Sequence, residues 1–291
     1  MTESKAPSTN KKRLLIVAIL GLAALAVVLA DVFLVNSYAT FEGTRIYTGR
    51  TFPASSTADE DSVYSYQTGS IRISVHEYDR SPAHFFVADV WLKDIEDFRC
   101  AFANGVYNGH DQSASVIAED NAALLAVNSD FNWGLVIRNG VLCSSEAWDT
   151  PMLAMYRNGS MKIIYDQLYS DPEQLLSSGV INTWTFGPVL VDGGKNVVDE
   201  EGDVLEPRTA IGYYSPGHYC FVVVDGRQSG YSSGMLLSDL GDLMAELGCE
   251  LAYNFDGGAS SQLLVNAEII NRPSTNPARL QKNLIVIAEA D

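Results

Sequence analysis

The chain has 291 residues, 47% hydrophobic and 10% aromatic, which suffices for a large buried core, so it need not be disordered. Its formal charge is −17, and because residues 1–30 hold a net +3, residues 31–291 carry −20. That balance disfavours nucleic acid and anionic lipid as general partners, which need basic surfaces, while leaving room for an anionic substrate held by a few placed arginines.

Lys5, Lys11, Lys12 and Arg13 precede an uncharged apolar run from Leu14 to Ala30, which Val32 to Val35 extend past Asp31. Residues 14–35 are long enough for one transmembrane helix, and the basic flank puts residues 1–13 in the cytoplasm. A cleavable signal peptide shares the charged start and apolar centre. The run is longer than the usual ~7–15-residue signal centre, however, and no small-x-small site closes it. The expectation is a single-pass protein of the cell membrane with its C-terminal domain outside. Residues 36–69, rich in Ser, Thr, Tyr, Gly and Asp, read as a stalk, and the folded domain is expected over 70–291.

Period-two alternation begins at Ser70 to His76 and resumes from His84 to Trp91, two strands joined by a turn at Ser81-Pro82. A short helix is predicted over Ser113 to Asn121, then a buried strand, Ala122 to Val127. Asn139-Gly140 and Asn158-Gly159 each sit between apolar segments and predict two hairpins. Asp171-Pro172 starts a helix that stops at Gly179, with aspartate as cap and proline at the first helical position. Asn182 to Val191 and Pro207 to Tyr213 read as further strands. Leu236, Leu237, Leu240, Leu243, Met244 and Leu247 follow helical spacing, with Gly248 as a stop. Flanked by Cys220–Val224 and Leu251–Phe255, that helix predicts a βαβ crossover with parallel strands. The fold class expected is α+β, a mixed parallel and antiparallel sheet with a few helices packed on it. Cys220 and Cys249 each open a strand beside this helix, so either a disulfide between adjacent strands or buried thiols would fit.

Two of the strands end in an aspartate followed by glycine: Val224-Asp225-Gly226-Arg227 and Asn254-Phe-Asp256-Gly257-Gly258-Ala-Ser260-Ser261. Three chemistries compete for them. Gly230-Tyr-Ser232-Ser-Gly234 matches the G-x-S-x-G nucleophile elbow, but no histidine follows His218, and Ser232 lies too far beyond Val224. Ser232 or Ser233 is then expected as a helix cap or ligand contact. A metal phosphoesterase would recruit histidines, and His76, His84, His110 and His218 are scattered. No cofactor is required, although a Ca²⁺ or Mg²⁺ ion held by carboxylates, with Asp130 as a candidate ligand, stays open. Carbohydrate chemistry needs a carboxylate to stabilise or attack an oxocarbenium ion and usually a second group to protonate the departing oxygen. Asp225 and Asp256 would supply that pair, and Arg208 and Arg227 would grip a phosphate in bidentate fashion. A D-G pair at a strand end is also, very often, only a turn, and each arginine has a carboxylate partner as its plain alternative.

The order of several motifs over roughly 120–288 resembles the phosphodiester glycosidase family. They are Asn128-x-Asp130-Phe131, Gly187-Pro188-x-Leu190-Val191, Pro207-Arg208-Thr209-Ala210-x-Gly212, Asp225-Gly226-Arg227 with Gly230-x-Ser232-x-Gly234, and Asn254-x-Asp256-Gly257-Gly258-x-Ser260. The resemblance implies hydrolysis of the bond between a sugar anomeric carbon and a phosphodiester. Asp225 and Asp256 would be the catalytic pair. Asn128, Asp130, Arg208, Thr209, Gly226, Arg227, Ser232, Gly257, Gly258 and Ser260 would bind substrate or shape the pocket. Where family members commonly read Asn-Gly-Gly-Phe-Phe, this chain has Asn128-Ser129-Asp130-Phe131-Asn132, a change in backbone freedom and charge. The expected function is extracytoplasmic cleavage of sugar-1-phosphodiester linkages in a glycopolymer. The alternative is a non-catalytic glycopolymer-binding or envelope-assembly protein on the same fold.

Overall fold

A computed structural model describes residues 62–199 and 203–290. The 14–35 anchor and most of the 36–69 stalk lie outside the described residues. Among the described residues no helix is long and apolar enough to cross a membrane.

In chain order, β1 (Tyr64–Gln67), β2 (Ile71–Arg80) and β3 (Ala83–Leu92) form a meander, followed by β4 (Phe98–Phe102), α1 (Ala114–Asp120) and β5 (Leu125–Asn128). The Asn-Gly turns close the two predicted hairpins, β6 (Leu135–Arg138) with β7 (Val141–Ser145) and β8 (Met152–Tyr156) with β9 (Met161–Ile164). Next come α2 (Pro172–Ser177), β10 (Val180–Trp184), β11 (Val189–Asp192), β12 (Lys195–Asn196), β13 (Arg208–Ser215) and β14 (His218–Val224). After α3 (Leu237–Glu246) follow β15 (Leu251–Asn254), β16 (Leu263–Val265), β17 (Glu268–Ile269) and β18 (Asn283–Ile287). β1 falls inside the segment read as stalk and pairs with β2, so the fold begins earlier than the alternation suggested.

An eight-stranded sheet runs β1-β2-β3-β14-β13-β15-β11-β12, and a five-stranded one runs β17-β16-β5-β18-β4. Their facing surfaces share one core, in which Ile73, Val90, Phe221 and Tyr253 of the larger sheet meet Phe98, Val127 and Ile285 of the smaller. α3 covers the outer face of the larger sheet through Leu240, Leu243 and Met244. α1 covers that of the smaller through Ala114, Ile117 and Ala118. Helix, sheet, sheet and helix thus stack in four layers.

The expected mixed sheet is corrected: the ladders of the larger sheet, like those of the smaller, are all antiparallel. The β14–α3–β15 crossover does join two strands of the same direction, but β13 lies between them and pairs antiparallel with both. The sheet is covered on both sides, so Tyr219, Phe221 and Val223 enter one core while Cys220, Val222 and Val224 enter the other. A continuous apolar run results whatever the direction of the neighbours. The strand read over Asn182 to Val191 is also two strands, β10 beside β8 and β11 beside β15. The break falls at Gly187, whose φ of 83° leaves the extended region, followed by a proline with no N–H to donate.

Cys220 and Cys249 are free thiols with sulfurs 3.6 Å apart. They do not belong to adjacent strands. Both lie over Gly212 of the intervening β13, where an added Cβ would stand 2.5 Å from the Cys249 Sγ and 2.6 Å from the Cys220 Sγ.

Candidate active site

Asp225, Asp256 and Asn128 lie at the ends of β14, β15 and β5, where the two sheets converge. The Asp256 N–H donates to the Ser129 carbonyl at 2.9 Å, a backbone bond from one sheet to the loop of the other. Asn128 is buried and braces this junction. Its amide donates to the Asp256 carbonyl at 2.7 Å, and its Oδ1 accepts from the Thr209 hydroxyl at 2.9 Å and from Gln262 N at 3.1 Å. The close approach of Pro207 explains two of the glycines. A Cβ on Gly257 would lie 2.5 Å from the Pro207 carbonyl oxygen, and one on Gly226 would lie 2.8 Å from Pro207 N.

Asp225 is 1% exposed and fully engaged. Oδ1 accepts from Asn271 Nδ2 at 2.8 Å, Oδ2 from the Tyr231 hydroxyl at 2.9 Å, and the Arg272 N–H reaches both oxygens at 3.1 and 3.0 Å. Burial pushes its carboxyl pKa up against the pull of these donors. Asp256 is different, with its side chain 13% exposed and Arg279 Nη1 4.0 Å from Oδ2. Burial raises its pKa too, opposed by the Ser260 hydroxyl and the Arg279 charge, while nearby Asp130 adds to the rise.

The remaining predicted residues divide sharply. Asp130 is not available to a cation. It forms a buried ion pair with Arg138 at 2.6 Å, with both side chains at most 1% exposed, and accepts from the Asn132 and Thr185 N–H groups. Among the described residues no group of three or more His, Cys, Asp or Glu side chains is placed to hold a metal. Arg208 takes its plain alternative: it pairs with Asp203 at 3.3 Å and donates to the carbonyls of Met235 and Val204. Arg227, in the left-handed region at φ 60°, pairs with Glu206 and lies against Gly258, whose added Cβ would stand 3.2 Å from its guanidinium. Ser232 is no helix cap, since α3 starts at Leu237. Its hydroxyl donates to the Asp225 carbonyl at 2.6 Å and accepts from His84 N at 3.0 Å, clamping β14 to β3. Ser260 is buried within the Asp256 loop.

Sequence reasoning missed Asn271, Arg272 and Arg279. Their signal was available in the polar stretch Asn271-Arg272-Pro-Ser-Thr-Asn-Pro-Ala-Arg279, two arginines in one loop of an acidic chain. Asn271 and Arg272, with Gln228, Ser274 and Thr275, line a cleft of about 480 Å³. His84, which looked remote in the sequence, packs against Tyr231 with ring centroids 4.7 Å apart and planes inclined at 36°.

Helix, sheet, sheet and helix thus form a β-rich scaffold with carboxylates and arginine-bearing loops gathered at its strand ends. Residues 101–288 match the phosphodiester glycosidase family, and the chain belongs to that family. The catalytic domain of zebrafish N-acetylglucosamine-1-phosphodiester alpha-N-acetylglucosaminidase, auto-inhibited by its pro-peptide, shares the fold. The TM-score is 0.62 at 19% identity, over 77% of this chain and 85% of that one. A hypothetical protein from Synechocystis aligns with a TM-score of 0.57 at 17% identity, over 75% of this chain and 62% of its own. In sequence, the SPbeta prophage-derived uncharacterized protein YomE of Bacillus subtilis strain 168 is 30% identical over 191 residues, which is 60% of this chain and 29% of that protein. An uncharacterized protein of Rickettsia conorii is 26% identical over 138 residues, 46% of this chain and 48% of its own. The chain spans less than half the length of these curated relatives.

Proposed function

We propose that the chain hydrolyses sugar-1-phosphodiester linkages in cell-surface glycopolymers, as an extracytoplasmic enzyme held at the membrane by residues 14–35. The observation that carries this reading is Asp256: a mostly buried, still accessible carboxylate beside the Arg279 guanidinium, in a glycine-walled loop. Cleavage at the anomeric carbon releases a phosphate monoester whose negative charge is spread over its oxygens, so the reaction asks little of a general acid and much of cations near the departing oxygens. Asp256 acts on the anomeric carbon, as nucleophile or as the charge that stabilises the oxocarbenium ion. Arg279 is the cation nearest to it, and the exposed Arg272 side chain, at the cleft wall, is the second candidate for the phosphate. Asp225, its oxygens all engaged, positions Arg272 and Tyr231 rather than meeting the sugar. The proposed division of labour replaces the symmetric pair of aspartates suggested by the motifs.

The test is turnover by the full-length chain. Incubated with UDP-N-acetylglucosamine or a p-nitrophenyl sugar phosphodiester, it is expected to release free sugar. Asp256→Asn should lower that rate by about 10²–10⁴-fold with an unchanged circular dichroism spectrum. Binding without release across a panel of such substrates would instead make the chain a glycopolymer-binding module.

A further inference from the structure

Phe131 and Trp133 follow Asp130 in the loop after β5. Their rings lie 4.7 Å apart between centroids, and Trp133 stacks at 5.4 Å on Trp148, from the segment between β7 and β8. The Phe186 ring lies 6.0 Å from that of Phe131 between centroids. Trp133 is 47% exposed, an unusual amount for an indole already resting on two other rings. The cluster is continuous with the site, because the Arg279 guanidinium that stands 4.0 Å from Asp256 also lies over the Phe131 ring, 5.2 Å from its centroid.

The loop that carries these rings is fixed from beneath. Arg138 binds Asp130 and the Asn132 Oδ1, Asn283 donates to the Asp130 carbonyl at 2.8 Å and to Asn132 Oδ1 at 2.9 Å, and the Tyr107 hydroxyl donates to the Asn132 carbonyl at 3.3 Å. Asn132 takes the left-handed conformation, φ 59°, which turns the chain between the two aromatic residues. A buried ion pair is a costly way to hold a surface loop, and the loop it holds is aromatic. Rigid aromatic faces bind with little loss of side-chain freedom. The electron-rich face of an indole or phenyl ring complements the C–H face of a pyranose, while Arg279 would meet the sugar's oxygens or the neighbouring phosphate.

We infer that the Phe131–Trp133–Trp148 cluster is a sugar-binding subsite, which seats a neutral pyranose unit next to the scissile sugar phosphate, so that the chain recognises an oligosaccharide rather than a single sugar. This rests on the proposed function for the position of the scissile bond, but the binding it requires does not depend on hydrolysis.

The test titrates the full-length chain with phosphate-free tetrasaccharides of N-acetylglucosamine, N-acetylgalactosamine and glucose, followed by calorimetry and tryptophan fluorescence. At least one tetramer is expected to bind and shift the fluorescence. Trp133→Ala should weaken that binding about tenfold, and Trp133→Tyr by less than about threefold. Melting temperatures of the variants control for folding. No binding by any tetramer, or equal binding by wild type and Trp133→Ala, overturns the subsite. Release of sugar from UDP-N-acetylglucosamine without tetramer binding would overturn it while leaving the proposed function standing. Tetramer binding lost in Trp133→Ala, without turnover of any phosphodiester, would do the reverse.

Discussion

Burial raises the proton affinity of Asp225 and Asp256 alike, but the Asp225 oxygens also hold three protein donors at 2.8–3.1 Å. A carboxyl whose pKa is raised by folding is ionised at a cost. The cost is absent where it is protonated in both states, grows as pH rises through the ordinary value of 3.8, and is constant above the folded value. Asp256→Asn should therefore melt above wild type at pH 7, with the gain shrinking as pH falls towards about 3. Asp225→Asn should melt lower at pH 7, because an amide cannot accept from the Asn271 amide, the Arg272 N–H and the Tyr231 hydroxyl together. The Asp130–Arg138 pair gives a third outcome: Arg138→Met should cost about 3–5 kcal/mol in urea unfolding by stranding a buried charge. Adding Asp130→Asn should recover part of it. The two aspartates were legible because a strand end followed by glycine is a local pattern. Arg272 and Arg279 were not, because their meaning lies in contacts with β14, β15 and the Phe131 loop, far away in the chain. Asp130 looked like a free ligand because its partner stands on a hairpin strand that reads as ordinary alternation.

At the level of elements, local chemistry is the most readable. The Asp171 carboxylate accepts from the Glu173 and Gln174 N–H groups ahead of Pro172, as the capping pattern implied. Asp171→Ala should cost about 1 kcal/mol by chemical denaturation. The hairpins at Asn139-Gly140 and Asn158-Gly159 and the amphipathic α3 are likewise set by neighbours in sequence. Strand partners are not. Nothing within Cys220–Val224 or Leu251–Phe255 says that β13 will be inserted between them, and this is why the pair read as a parallel unit. Gly212 records the insertion most directly, as its missing side chain leaves room for Cys220, Cys249 and Met244. Gly212→Ala should cost about 1–3 kcal/mol, and a Cys220→Ala change in the same chain should return part of that, which thermal melts of the double variant would show.

For the whole molecule, apolar content implied a large core, whereas the layering emerged only from long-range pairing. The order of the smaller sheet has a consequence in time. β4 (Phe98–Phe102) has β18 (Asn283–Ile287) as its partner, and β18 also sits against β5. During synthesis at ~5–20 residues per second, β4 leaves the ribosome on the order of ten seconds or more before the strand that completes its ladder exists. Throughout that interval Phe98 and Cys100 have no finished core to enter. In the folded protein Cys100 is 5% exposed, and burial pushes its thiol up to about 12. Nascent chains arrested before Asn283 should alkylate readily at Cys100, and chains released after Ile287 should resist. Among the described strands, the last to be made is thus the one that ends the exposure of Cys100.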